Sequence, residues 1–148
     1  MITDKLTIYG EKDDVLSICD LLTLCTKETE LSPAHMDVYL NSNSKEPIAE
    51  GKDKILIIPF EMMGDIPKGM RCITYSSNDN SADVSSVNVQ ERSSALCFEI
   101  LCGDFMNRVF IPYSAEYTQY QVLVCASVLY GFGVPMQKVV SLINESLK

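Results

Sequence analysis

The residues of this chain with chemistry to offer are one histidine, His35, six cysteines at 19, 25, 72, 97, 102 and 125, and two acidic groups, Asp13-Asp14 and the run from Asp79 to Asp83. A zinc site takes four ligands at helix or hairpin spacing. No such companions are evident around His35, and no two cysteines form a C-x-x-C pair. A nucleophilic Cys97 or Cys102 needs a base to hold it as thiolate, and the single histidine is remote in sequence. Most cysteines lie in apolar runs, as Cys125 does in V-L-V-C-A-S-V-L, and read as buried thiols of a reducing compartment. Adjacent carboxylates at 13 and 14 suit the positive end of a helix dipole. Asp79-Asn80-Ser81 is turn composition, and His35 reads as a loop residue. These residues predict no catalytic group, no metal ligand and no cofactor.

The candidate ligand-binding group is Glu116, Tyr117, Thr118, Tyr120 and Gln121, a polar and aromatic stretch that opens a long apolar helix. The first turn of a helix carries unpaired N–H groups that can hold an anion. The same residue types also cap and pack a helix start, and the pattern favours that use.

The elements that must position these residues follow from hydrophobic spacing. Leu6 to Tyr9 is a short strand ended by Gly10, and Glu11 to Lys27 an amphipathic helix with Val15, Ile18, Cys19, Leu22 and Cys25 on one face. Met36 to Leu40 alternates as a strand. Asn41 to Asp53 is polar, a surface loop. Lys54 to Phe60, K-I-L-I-I-P-F, is a strand with four successive aliphatics, the pattern of a sheet with helices on each side. Met70 to Ser76 and Val84 to Val89 read as strands. Ala95 to Leu101, Gly103-Asp104 and Arg108 to Ile111 read as a hairpin. Tyr117 to Tyr130 is a helix apolar nearly all round, hence buried. Gly131 and Gly133 stop it, Pro135 opens a last helix, and Val139, Val140, Ile143 and Leu147 give that helix one apolar stripe.

The 148 residues fit one α/β domain, 1-148. Residues 1-60 form a strand-helix-strand part with a small sheet. Residues 70-148 form an antiparallel hairpin layer carrying the two C-terminal helices. The formal net charge of −8 sets an acidic surface against phosphate backbones, so no nucleic acid partner is expected. The N-terminus lacks the basic and apolar regions of a signal peptide. The longest apolar run is too short to cross a bilayer. A cytoplasmic protein with no membrane partner is the expectation.

The order of segments in the last half resembles the Mur ligase family of ATP-dependent peptidoglycan precursor ligases. The residues that carry the resemblance are R-C-I-T-Y-S at 71–76, A-D-V-S-S-V-N-V at 82–89, C-F-E-I at 97–100 and R-V-F-I-P at 108–112. The helix with its following glycines at 117–134 and V-V-S-L-I at 139–143 complete the series. The resemblance implies the fold of that family's ATP-binding middle domain over residues 70–148. It does not extend to the family's phosphate loop, G-T-N-G-K-T/S, which holds ATP phosphates on backbone amides and a lysine. The one Gly-Lys pair here, Gly51-Lys52, precedes Asp53, and Gly10-Glu11-Lys12 after the first strand is short and acidic. Where the family's helix start reads H-N-V-x-N, Tyr117 to Gln121 stand here, with Thr118 and Gln121 in place of the asparagines. The expectation is a non-catalytic relative acting by binding or assembly, as a homo-oligomer or beside a ligase-like partner chain. The alternatives are one chain of a split ligase, or a nucleotide or sugar-nucleotide sensor.

Overall fold

The structure, a computed structural model, describes residues 2–41, 48 and 53–148. Most of the expected polar loop, with Gly51-Lys52, lies outside the described residues. In chain order the elements are β1 (Leu6–Tyr9), α1 (Lys12–Cys25), β2 (His35–Tyr39), β3 (Lys54–Pro59), a 3-10 segment (Phe60–Asp65), β4 (Arg71–Ser76), β5 (Val84–Glu91), β6 (Ala95–Cys102), β7 (Phe105–Pro112), α2 (Gln119–Gly131) and α3 (Met136–Leu147). The strands form one seven-stranded sheet in the order β1 to β7. Successive pairs from β1 to β5 are parallel, and β5–β6 and β6–β7 are antiparallel. The hairpin therefore continues the parallel strands, joined through a short overlap in which Tyr75 pairs with Val84 and Ser76 with Ser85.

All three helices pack on one face of this sheet. Ile18, Leu21 and Leu22 of α1, Val122 to Val128 of α2 and Val139, Val140 and Ile143 of α3 share a core with Met36, Val38, Ile55, Ile57, Phe98, Ile100 and Val109. Residues 122–126 of α2 are fully buried, as an all-apolar helix demands. The other face differs from the expectation of helices on each side. Tyr39, Leu56 and Ile58 are buried there under Ile48, Met62, Ile66 and Met70, side chains of loop and 3-10 segments. The unbroken aliphatic run of β3 thus reports burial on both faces, and burial does not require a helix. His35 also departs from its loop reading: it opens β2 and pairs with Lys54 of β3.

Two local features fix the ends of the sheet. The edge strand β7 is blocked by α3, whose Asn144 side chain accepts from the Phe110 N–H at 3.1 Å and donates to the Arg108 carbonyl at 3.0 Å. That amide takes the place of a further strand and protects the edge. At β1, the turn into α1 is only Gly10-Glu11, and a Cβ on Gly10 would lie 2.7 Å from Leu40, which is fully buried. Gly10→Ala is expected to cost about 1–3 kcal/mol by overpacking, measured as a lower urea midpoint. Gly64→Ala, with nothing within 4 Å of the added carbon, is the control and should stay within about 0.5 kcal/mol of wild type.

Candidate functional site

Open α/β sheets place ligands at the carboxyl ends of their parallel strands. Here that edge gathers the ends of β1, β2 and β4 and the starts of α1 and α2. The Tyr75 hydroxyl donates to the Tyr39 carbonyl at 2.7 Å. A phenol has one hydrogen, so in the 2.8 Å contact between Tyr75 and Tyr120 the donor is Tyr120. Tyr120 in turn accepts from the Asn41 N–H at 2.8 Å. The relay runs Asn41, Tyr120, Tyr75, Tyr39 and ties α2 to β4 and to the end of β2. Burial pushes the Tyr75 phenol far above its ordinary range, and the neighbouring Tyr120 adds to this. Burial also raises Tyr120, partly offset by its bonds to Tyr75 and Asn41.

The rest of the α2 start is engaged as well. Thr118 caps the helix: its hydroxyl accepts from the Gln121 N–H at 3.1 Å, and its own N–H donates to the Gln121 side chain at 3.1 Å. This is the reciprocal capping box. Buried Gln121 then donates to Asp14 of α1 at 2.9 Å, and Gln119 donates to Ser86 of β5 at 2.7 Å. Tyr117 is half-buried against the core, its phenol raised by burial and then by Asp20. Glu116 is exposed and stands in the left-handed region at φ 61°. The structure thus brings Tyr120 and Gln121 together with Asp14, Asn41 and Tyr75, which sequence spacing did not connect. Two cavities meet at Ser77 and Asn78 on this edge: one of about 70 Å³ lined by Asn41, Glu61, Tyr75, Ser76 and Tyr120, and one of about 430 Å³ lined by residues 79–80 and 86–89. Small-molecule sites run to roughly 300–1,000 Å³.

A second polar group lies on the helix-free face and was not found from sequence. Asp37 of β2 is fully buried, with the Lys54 ammonium 3.2 Å from its Oδ2 and the His35 Nε2 3.6 Å from its Oδ1. The same His35 Nε2 lies 3.2 Å from the Thr7 hydroxyl. A hydrolytic triad needs its two partners on opposite ring nitrogens, so this is an ion-pair cluster and not a nucleophile with its base. The legible signal was His35-x-Asp37, two polar residues on one face of a strand. No group of three or more metal-ligating side chains occurs among the described residues. Asp83, at the end of the acidic run, accepts from the N–H and hydroxyl of Thr74 at 2.9 and 3.1 Å. Asp79 makes the expected turn, accepting from the Ser81 N–H at 2.9 Å.

No protein-family model matches the chain, and no curated protein matches it. Solved structures do match in fold. MurF from Acinetobacter baumannii superposes with a TM-score of 0.67 at 8% identity, over 95% of this chain and 45% of that one. UDP-N-acetylmuramoylalanyl-D-glutamyl-2,6-diaminopimelate–D-alanyl-D-alanyl ligase from Acinetobacter baumannii gives 0.62 at 8% identity with the same coverages of 95% and 45%. UDP-N-acetylmuramoyl-L-alanyl-D-glutamate–2,6-diaminopimelate ligase gives 0.58 at 15% identity, over 74% of this chain and 28% of that one. The chain has a Mur-ligase-like α/β fold and spans less than half the length of these structures.

Proposed function

We propose that this chain keeps a Mur-ligase-like fold without ligase chemistry and acts in the cytosol by binding or assembly. The observation that carries the reading is the filled carboxyl edge between β2, β4 and the starts of α1 and α2. There the tyrosine relay and the Gln121–Asp14 bond leave about 70 Å³, and the adjoining cavity of about 430 Å³ draws no lining residue from β1, β2, α1 or α2. The turn after β1 supports it too. Gly10-Glu11 offers two backbone amides, closed over by Leu40 and followed by Asp13 and Asp14 in the first turn of α1. Those carboxylates repel a phosphate where a phosphate loop attracts one. Six unpaired cysteines suit a reducing compartment, and no described helix is long and apolar enough to cross a membrane. Titration calorimetry with ATP and magnesium is expected to give no binding heat. Affinity of about 1 mM or tighter, followed by turnover with any amino acid, overturns the proposal.

The second reading is one chain of a split ligase, favoured by a Mur-ligase-like fold whose turn after β1, Gly10-Glu11, is no phosphate loop. A partner would then supply the phosphate loop, and the chain would leave its native cell as a complex. Purification as a lone species counts against it. The sensor reading places a ligand at the helix start from Glu116 to Gln121, where contact with Thr118, Tyr120 or Gln121 means breaking their hydrogen bonds. A thermal-shift panel of nucleotides and sugar nucleotides reads this, and a flat result removes it.

A further inference from the structure

The first half of β4 has an edge left unpaired among the described residues. β5 neighbours both β4 and β6, yet it starts only at Val84, opposite Tyr75, and first meets β6 at the Ser85–Leu101 pair. Ahead of it, the first half of β4 and the β6–β7 turn face each other across a cleft of about 720 Å³, lined by Arg71, Cys72, Ile73, Asp83, Leu101 and Cys102 among others. It lies at the opposite end of β4 and α2 from the tyrosine relay. β6 ends at Cys102, level with the start of β5, so ahead of β5 the edge of β4 faces a turn, and an added chain at the usual strand spacing of about 4.8 Å can pair with that edge. The volume falls inside the roughly 300–1,000 Å³ range of ligand sites.

The walls of the cleft specify an occupant. The Thr74 N–H points out from this edge and is taken by the Asp83 carboxylate at 2.9 Å. Alternation along a strand turns the Cys72 N–H and C=O the same way, and among the described residues no strand or side chain meets them. Beside them Arg71 is exposed and has no ion pair among the described residues, in a chain with net charge −8. Pro135, at the start of α3, lines the same cleft and offers that helix no side-chain cap. The unpaired strand edge asks for backbone amides. The cation at the Arg71 end asks for a carboxylate, and Asp83 at the Thr74 end repels one. Three residue steps separate these ends, about 10 Å of extended chain.

We propose that this cleft binds the C-terminal end of an extended peptide. The peptide runs antiparallel to β4, pairs with the Cys72 backbone and sets its terminal carboxylate on Arg71. Strand addition and carboxylate capture are recurrent modes of peptide recognition, and the guanidinium fork matches a carboxylate. Neither contact depends on peptide side chains, so N-acetyl-threonyl-valyl-threonine, as free acid and as C-terminal amide, is a sufficient probe. In amide-resolved NMR titration the free acid is expected to shift Cys72, Ile73, Leu101 and Cys102 with saturation. The amide should bind about 10-fold more weakly. Arg71→Ala should weaken the acid by the same factor and leave the amide unchanged, and Arg71→Lys should recover part of the loss. No shift at these residues up to about 10 mM overturns the proposal. So does equal binding of acid and amide, or a shift pattern reproduced by acetate alone. Should Arg71→Ala fail to fold, the acid–amide comparison on the wild-type chain decides.

Discussion

Replacing Lys54 with methionine is expected to destabilise the fold by about 3 kcal/mol, read as a lower urea midpoint at unchanged slope. The Asp37 side chain is 1% exposed and Lys54 holds it at 3.2 Å from the neighbouring strand. A carboxylate moved out of water costs several kcal/mol unless a partner and hydrogen bonds compensate it. Compensation is thin here. The Asp37 Oδ1 has no hydrogen bond, and His35 at 3.6 Å is the other group facing it among the described residues. Methionine keeps most of the apolar stem of lysine, so the loss isolates the charge. Lys54 is a third exposed, which places the cost at the lower end of the 3–5 kcal/mol range for breaking a buried pair. Adding Asp37→Leu to Lys54→Met should return most of the stability, because the stranded charge is then gone. A double variant no more stable than Lys54→Met alone would show that the pair does not hold this face.

The same cluster shows where the sequence stops being legible. The alternation H-M-D-V-Y reveals that His35 and Asp37 share a face, but Lys54 stands on another strand, and only the β2–β3 register joins them. Local patterns carried further. The all-apolar α2 and the single stripe of α3 were readable because burial imposes a period on one element at a time. The capping box was readable in principle, since Thr118-x-x-Gln121 is a local spacing. Tyr120 was not, because its partners Tyr75 and Asn41 lie 45 and 79 positions away. The hairpin read as a separate layer for a related reason. It joins the parallel strands through only Tyr75–Val84 and Ser76–Ser85, an overlap too short to mark the sequence. That overlap also creates the cleft ahead of β5, so the least legible junction of the sheet is also where it is left open.

Stability should fall as pH rises above 9, because two weak acids stay buried and protonated in the fold. Burial drives the Cys125 thiol well above its ordinary 9.0, and burial with Tyr120 beside it drives the Tyr75 phenol far above 10.0. Both stay protonated in the folded chain at pH values where the unfolded chain has released the proton. Their contribution is therefore whole below the unfolded pKa and is lost progressively as pH rises from there toward the folded pKa. Each such group costs about 1.4 kcal/mol per pH unit. At pH 11 that is one unit for Tyr75, and Cys125 adds to the loss in the same direction from about pH 9. Cys19, Cys25, Cys72 and Cys102, raised first by burial, act in the same direction. Urea midpoints from pH 7 to 11 measure the slope. Cys125→Ala and Tyr75→Phe should each start less stable at pH 7, the second because the Tyr39 carbonyl loses its donor. Combined, they should flatten the alkaline slope by more than either variant alone. An unchanged slope in the double variant would mean that these groups open to solvent before the fold is lost, and that the relay at the carboxyl edge does not seal it.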